Sequence, residues 1–133
     1  MKEENLYLKS FFKNAIRYHN NDVANYIFNK YSNYIEYNTR KIIVSCFKYY
    51  NFTFMKSEFI NSNYFCELCR YDYNYFVDFL LKNENVDINK KRSLDEITTR
   101  STQEEKTSLF FAVEDENIEV IKMLMKNEKL DVN

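Results

Sequence analysis

Thr107-Ser108-Leu109-Phe110-Phe111-Ala112, running on through Lys126-Asn127-Glu128-Lys129-Leu130-Asp131-Val132-Asn133, echoes an earlier stretch that ends Lys82-Asn83-Glu84-Asn85-Val86-Asp87-Ile88-Asn89. A chain that repeats itself at this length reads as a stack of similar helix pairs. One pair alone leaves an apolar face uncovered, and a neighbouring pair covers it. Such stacks display surfaces, so the pattern points to binding rather than catalysis.

With Leu109 as anchor, Ala112 and Val113 follow on one stripe of a first helix, Asn117 marks a turn, and Val120, Ile121 and Leu124 line one face of a second helix. Sliding the frame back lands on Phe12, Ala15, Ile16, Asn20, Val23, Ala24 and Ile27, a chemical match at every position. It lands again on Phe65, Leu68, Cys69, Phe76, Val77 and Leu80. A weaker copy holds Ile43, Cys46, Phe47, Asn51, Phe54 and Met55, with Glu58 where Leu124 would be, so its second helix is expected to be short or irregular. Small Ala15, Cys46 and Ala112 fall where a bulky side chain would hold two helices apart. The third unit comes early and the fourth late, and the added length is visible as a polar insert over 90–105.

Punctuation agrees with the frame. Ser10, Asn63 and Thr107 stand two before their anchors and are expected as helix N-caps, with Asn38 and Thr39 starting the second unit's helix earlier. Between the helices Asn20, Asn51 and Asn117, with Tyr73 as the exception, are expected to take the left-handed turn conformation, because the chain has no Gly.

The 133 residues suit one domain, and 45% hydrophobic with 29% charged is ordinary for a folded chain. Nineteen basic against twenty acidic residues offer no field that would gather nucleic acid or an anionic membrane. No segment reaches the roughly 18 apolar residues of a membrane span. Three cysteines and an acidic N-terminal stretch without an export signal lead us to expect a reducing, cytoplasmic setting.

These residues resemble ankyrin repeats. Thr107-Ser108-Leu109-Phe110 sits where that family has Thr-Pro-Leu-His, Asp131-Val132-Asn133 matches its closing triplet, and Ala112, Glu119, Val120, Lys122 and Leu124 fall where the family pattern expects them. The Tyr- and Asn-rich style is similar to the expanded ankyrin families of parasitic protozoa. Phe110 replaces the family's His, and no turn contains Pro or Gly, which predicts looser links. The resemblance implies an all-α ankyrin-type solenoid of about four helix-turn-helix repeats, 1–133 as a single domain. Its units would cover about 5–33, 38–60, 62–89 and 106–133, with the insert 90–105 before the last. It further implies a protein–protein interaction module without catalytic residues or cofactor, and, since Asp-Val-Asn normally leads into another unit, further repeats C-terminal to it.

Several sharper readings compete with plain packing. Cys66-Glu67-Leu68-Cys69 has CxxC spacing, but the frame places both thiols on a first helix, with Cys69 on the core stripe. Cys46 and His19 form a conceivable nucleophile–base pair, yet Cys46 aligns with the small core residues. Carboxylate runs such as Glu114-Asp115-Glu116 and Asp95-Glu96 read as solvated turns. Twelve Tyr and twelve Phe mean that some aromatic rings are exposed, and exposed rings anchor interfaces. The expected partner contacts are therefore Tyr71 and Tyr73 with Lys91, Arg92 and Arg100 of the insert; the partner is a protein, not nucleic acid or membrane. The remaining alternatives are a structural spacer in a larger array and a cysteine-based metal or redox protein.

Overall fold

Seven α-helices make up most of the regular structure among the described residues, which are 2–35, 39–55, 57–92 and 105–133 of this computed structural model. They are α1 Lys2–Arg17, α2 Asn21–Ile35, α3 Thr39–Lys48, α4 Phe65–Arg70, α5 Asn74–Asn83, α6 Ser108–Glu114 and α7 Ile118–Met125. Short 3-10 turns at Ser57–Phe59 and Ser62–Tyr64 separate α3 from α4. The all-α class stands. The chain divides into two compact units, Met1–Phe59 and Ile60–Asn133.

Every first helix ends in the same way. The backbone N–H of Asn20, Asn51, Tyr73 and Asn117 reaches back five residues to the carbonyl of Ala15, Cys46, Leu68 and Ala112, at 2.8, 3.0, 3.0 and 2.8 Å. In three repeats the preceding N–H, of His19, Tyr50 and Glu116, closes the inner bond to Ile16, Phe47 and Val113. This is the Schellman pattern, which needs a left-handed residue at its corner. His19, Tyr50, Asp72 and Glu116 supply it with φ of 58°, 53°, 62° and 57°, each seven positions past its anchor. The expectation that the asparagines turn left-handed is thus off by one residue, because Asn117 has φ −80° and Tyr73 φ −82°. The second helix then starts identically, with Ala24, Met55, Val77 and Ile121 donating to the carbonyls of Asn20, Asn51, Tyr73 and Asn117. In the second repeat it stops after that one turn, as Glu58 suggested.

The cap assignments fare unevenly. Thr107 caps α6, its hydroxyl accepting from the Phe110 N–H at 3.3 Å. Ser10 instead lies inside α1, which begins at Lys2, and Asn63 lies within a 3-10 turn capped by Asn61. α3 does begin at Thr39, while Asn38 lies outside the described residues.

In the first compact unit α1, α2 and α3 close around Phe12, Ala15, Ile16, Ala24, Ile27, Ile42 and Cys46. Phe12, Phe28 and Phe54 pack mutually, with ring centroids 5.7–6.3 Å apart. In the second unit Phe65, Leu68, Cys69, Val77 and Leu80 are buried in α4 and α5, and Phe111, Ala112, Val120 and Leu124 in α6 and α7. Ala15, Cys46 and Ala112 are all buried, as close helix approach requires. The closing segments are tied side by side. Asn89 Nδ2 donates to the Lys129 carbonyl at 2.6 Å, and Asn89 Oδ1 accepts from the Asp131 N–H at 2.7 Å.

The stripe predicted for the last repeat is rotated. Val113 is 55% exposed and Leu109 half-buried, whereas Ser108 and Phe111 are buried. The buried side of α6 is the one that meets α4 of the repeat before it, and the Val113 side has no following repeat among the described residues.

Two stability predictions follow from this packing. Leu80→Ala removes a fully buried side chain and is expected to cost about 2–5 kcal/mol, against less than about 0.5 for exposed Lys91→Ala. Equal losses in denaturant titration would refute the frame. Glu116→Gly relieves a left-handed non-glycine residue and is expected to stabilise by about 1 kcal/mol; a lowered melting temperature would contradict the turn assignment.

Candidate interaction surfaces

The base of the insert is an antiparallel bridge in which Arg92 and Lys106 exchange both backbone hydrogen bonds, at 2.8 and 2.9 Å. The bridge brings the two ends of the insert together. Residues 93–104 between them, Arg100 included, lie outside the described residues. Lys91 is exposed and Arg92 half-buried. Beside them Lys106 Nζ lies 3.1 Å from Glu114 Oε1 and 4.6 Å from the Phe110 ring centre. An open hollow of about 370 Å³, lined by Lys91, Glu105, Lys106, Thr107 and Phe110, sits at this point. It offers cationic groups next to an exposed aromatic ring, a combination common at protein interfaces.

The tyrosines divide. Tyr75 is 76% exposed and Tyr71 half-buried, with the Arg70 guanidinium 5.8 Å from its ring centre. Tyr73 is only 6% exposed and stacks on Phe76, so the sequence-based expectation of an exposed Tyr73 is corrected. The matching position is buried at Asn51, half-buried at Asn117 and exposed at Asn20, so the turn alone does not decide its exposure.

A second surface was missed in the sequence. A groove of about 520 Å³ runs along α1 and α2, lined by Phe11, Asn14, Tyr18, Asn20, Val23 and Tyr26 among others. Phe11, Tyr18 and Tyr26 are 63%, 71% and 58% exposed. The available signal was that these rings lie off the repeat's own core stripe.

The cysteines behave as packing residues. Cys46, Cys66 and Cys69 are buried thiols, and Cys66 Sγ lies 3.1 Å from the Ser108 hydroxyl. Burial pushes the Cys46 thiol up to about 12. Burial, with the neighbouring Cys66, raises Cys69 well above the ordinary range. Metal ligation and nucleophilic attack both need the thiolate, which these surroundings disfavour. His19 Nε2 donates to the Tyr49 carbonyl at 3.0 Å, fixing its ring at the turn. Among the described residues no group of three His, Cys, Asp or Glu is placed to hold a metal ion, and no helix is long and apolar enough to cross a membrane.

Comparison of the chain with protein families, curated proteins and solved structures finds no match.

The raised thiols carry a pH consequence. A folded-state value above the unfolded one, about 8.5 for Cys, means the stabilisation is complete below pH ~8.5 and is lost as pH climbs through the folded-state value. Cys46 and Cys69 are expected to react with a thiol-selective reagent at neutral pH only in denaturant; rapid labelling of the native chain would contradict their burial.

Proposed function

We propose that the chain is a non-catalytic protein-interaction module of ankyrin type, a helical solenoid that works in a reducing, cytosolic setting and displays the insert and its flanking helix ends to a protein partner. The observation that carries this reading is the fourfold recurrence of one backbone device at His19, Tyr50, Asp72 and Glu116, a left-handed corner closed by a five-residue back-bond, which leads into a second helix in three repeats and a single turn in the second. Recurrence on this scale builds a surface by repetition rather than a single cleft. The paired closing segments at Asp87–Asn89 and Asp131–Asn133 favour the ankyrin reading further. In each, an Asp side chain accepts from the amide two residues on, so the link is shaped by the same short motif.

Lys91, Arg92, Lys106 and Phe110 are the residues this reading places at the contact, with Arg100 in the same insert and Tyr71 at the turn of the third repeat. A partner rich in carboxylates fits the three cations. Their charge and the exposed Phe110 ring would act together, the former steering encounter and the latter supplying buried area.

Affinity capture from the native cytosol, followed by binding measurement with the captured protein, tests the proposal. Lys91→Glu combined with Arg92→Glu is expected to weaken binding at least tenfold while leaving the unfolding midpoint unchanged, since both side chains lie outside the core. Binding unaffected by these changes and by removal of 90–105 would favour a structural spacer instead.

A further inference from the structure

Each repeat that has a predecessor within its own compact unit presents the same face to it. In the fourth repeat Ser108 is fully buried against Cys66, Phe111 is 4% exposed, Asn117 donates to the Cys69 and Arg70 carbonyls at 2.8 and 2.7 Å, and Val120 is fully buried. In the second repeat the matching residues are Ile42, Ser45, Asn51 and Phe54. Ile42 and Ser45 are nearly inaccessible, Asn51 donates to the Ile16 carbonyl at 3.0 Å, and Phe54 packs on Phe12.

The first repeat carries that face uncovered. Its matching residues, Phe11, Asn14, Asn20 and Val23, line the open groove on α1 and α2. Val23 is 42% exposed where Val120 is fully buried, and the Asn20 side-chain amide meets no carbonyl among the described residues. The complementary face is uncovered at the fourth repeat. Phe110, Val113 and Met125 are 50%, 55% and 57% exposed, at positions where the third repeat has Cys66 and Cys69 buried under α6 and the first has Ile16 fully buried.

We infer that the chain associates with a second copy of itself head to tail, the outward face of the fourth repeat on one copy seating in the α1/α2 groove of the next. The internal interfaces identify the occupant: twice within this chain, the face that lines the groove is covered by the outward face of another of its own repeats. In the intermolecular contact Val113 takes the place that Ile16 and Cys69 hold internally, and the Asn20 amide donates to the carbonyls of Val113 and Glu114, as Asn117 does to those of Cys69 and Arg70. Because the two faces differ, the contact is heterologous and builds chains or rings rather than a two-fold dimer. The inference rests on the repeat register and not on the proposed partner.

Sedimentation analysis of the full chain from micromolar to millimolar concentration tests it. The wild type is expected to gain mass steadily with concentration, and Asn20→Ala to weaken the association about tenfold. Val23→Lys blocks only the groove and Val113→Lys only the outward face, and both positions are exposed enough for folding to persist, as circular dichroism checks. Each variant alone is expected to remain monomeric, while an equal mixture forms a dimer and goes no further. A monomeric wild type, a single variant that still associates, or a mixture that fails to pair would each overturn the inference.

Discussion

The side-chain amide that crosses from the turn of one repeat to the helix end of the repeat before it is the contact on which this architecture turns. Asn51 Nδ2 donates to the Ile16 carbonyl and to Asn21 Oδ1, while its own Oδ1 accepts from the Phe54 N–H, so a fully buried amide is satisfied on both ends. Asn117 repeats the arrangement with two carbonyls at the end of α4. Carbonyls in the last turn of a helix lack their usual partner four residues on; that of Ile16 accepts from both the His19 N–H and Asn51, and those of Cys69 and Arg70 accept from Asn117. The asparagine therefore does two things at once: it completes the helix behind it and sets the distance and rotation at which the next apolar face arrives.

The absence of glycine shapes how this is done. Four non-glycine residues hold left-handed corners, at a cost of roughly 1–2 kcal/mol each, and two of them, His19 and Asp72, are types that tolerate the conformation better than most. Aromatic packing offsets part of that cost. The Phe12, Phe28 and Phe54 cluster fastens the truncated second repeat onto the first, which is where the missing helix would otherwise leave least burial. Arg70 does similar bridging between the third and fourth repeats. Its guanidinium is 3.4 Å from Asp115 and 5.5 Å from the centre of the Phe111 ring.

Much of this was legible in the residues. Large anchors followed by Ala15, Cys46 and Ala112 announced the helix pairs, because packing at a close crossing tolerates only small side chains, and Glu58 announced the broken helix. The misassigned stripe of the last repeat has a simple cause. Periodicity shows which residues of a helix are apolar, but in a repeat every helix has two apolar sides, one for each neighbour, and only the neighbours decide which is covered. Val113 was therefore assigned to the core and is exposed, while Ser108, which lies off the predicted stripe, is buried. Tyr73 was read as a contact residue because composition cannot show that its ring stacks on Phe76 and is buried. The asparagines were recognised as turn residues for a conformational reason, whereas the role of Asn51 and Asn117 is a long-range hydrogen bond invisible to local pattern.

One comparison tests whether neighbouring repeats are held together through these amides. Asn20, Asn51 and Asn117 occupy the same place in three repeats, but only the latter two reach a preceding helix among the described residues. Replacing each by Leu and measuring unfolding free energy in dilute solution isolates the cross-repeat bond from the local turn. The account predicts losses of about 1–3 kcal/mol at Asn51 and Asn117 and less than about 0.5 at Asn20; equal effects at all three sites would contradict it.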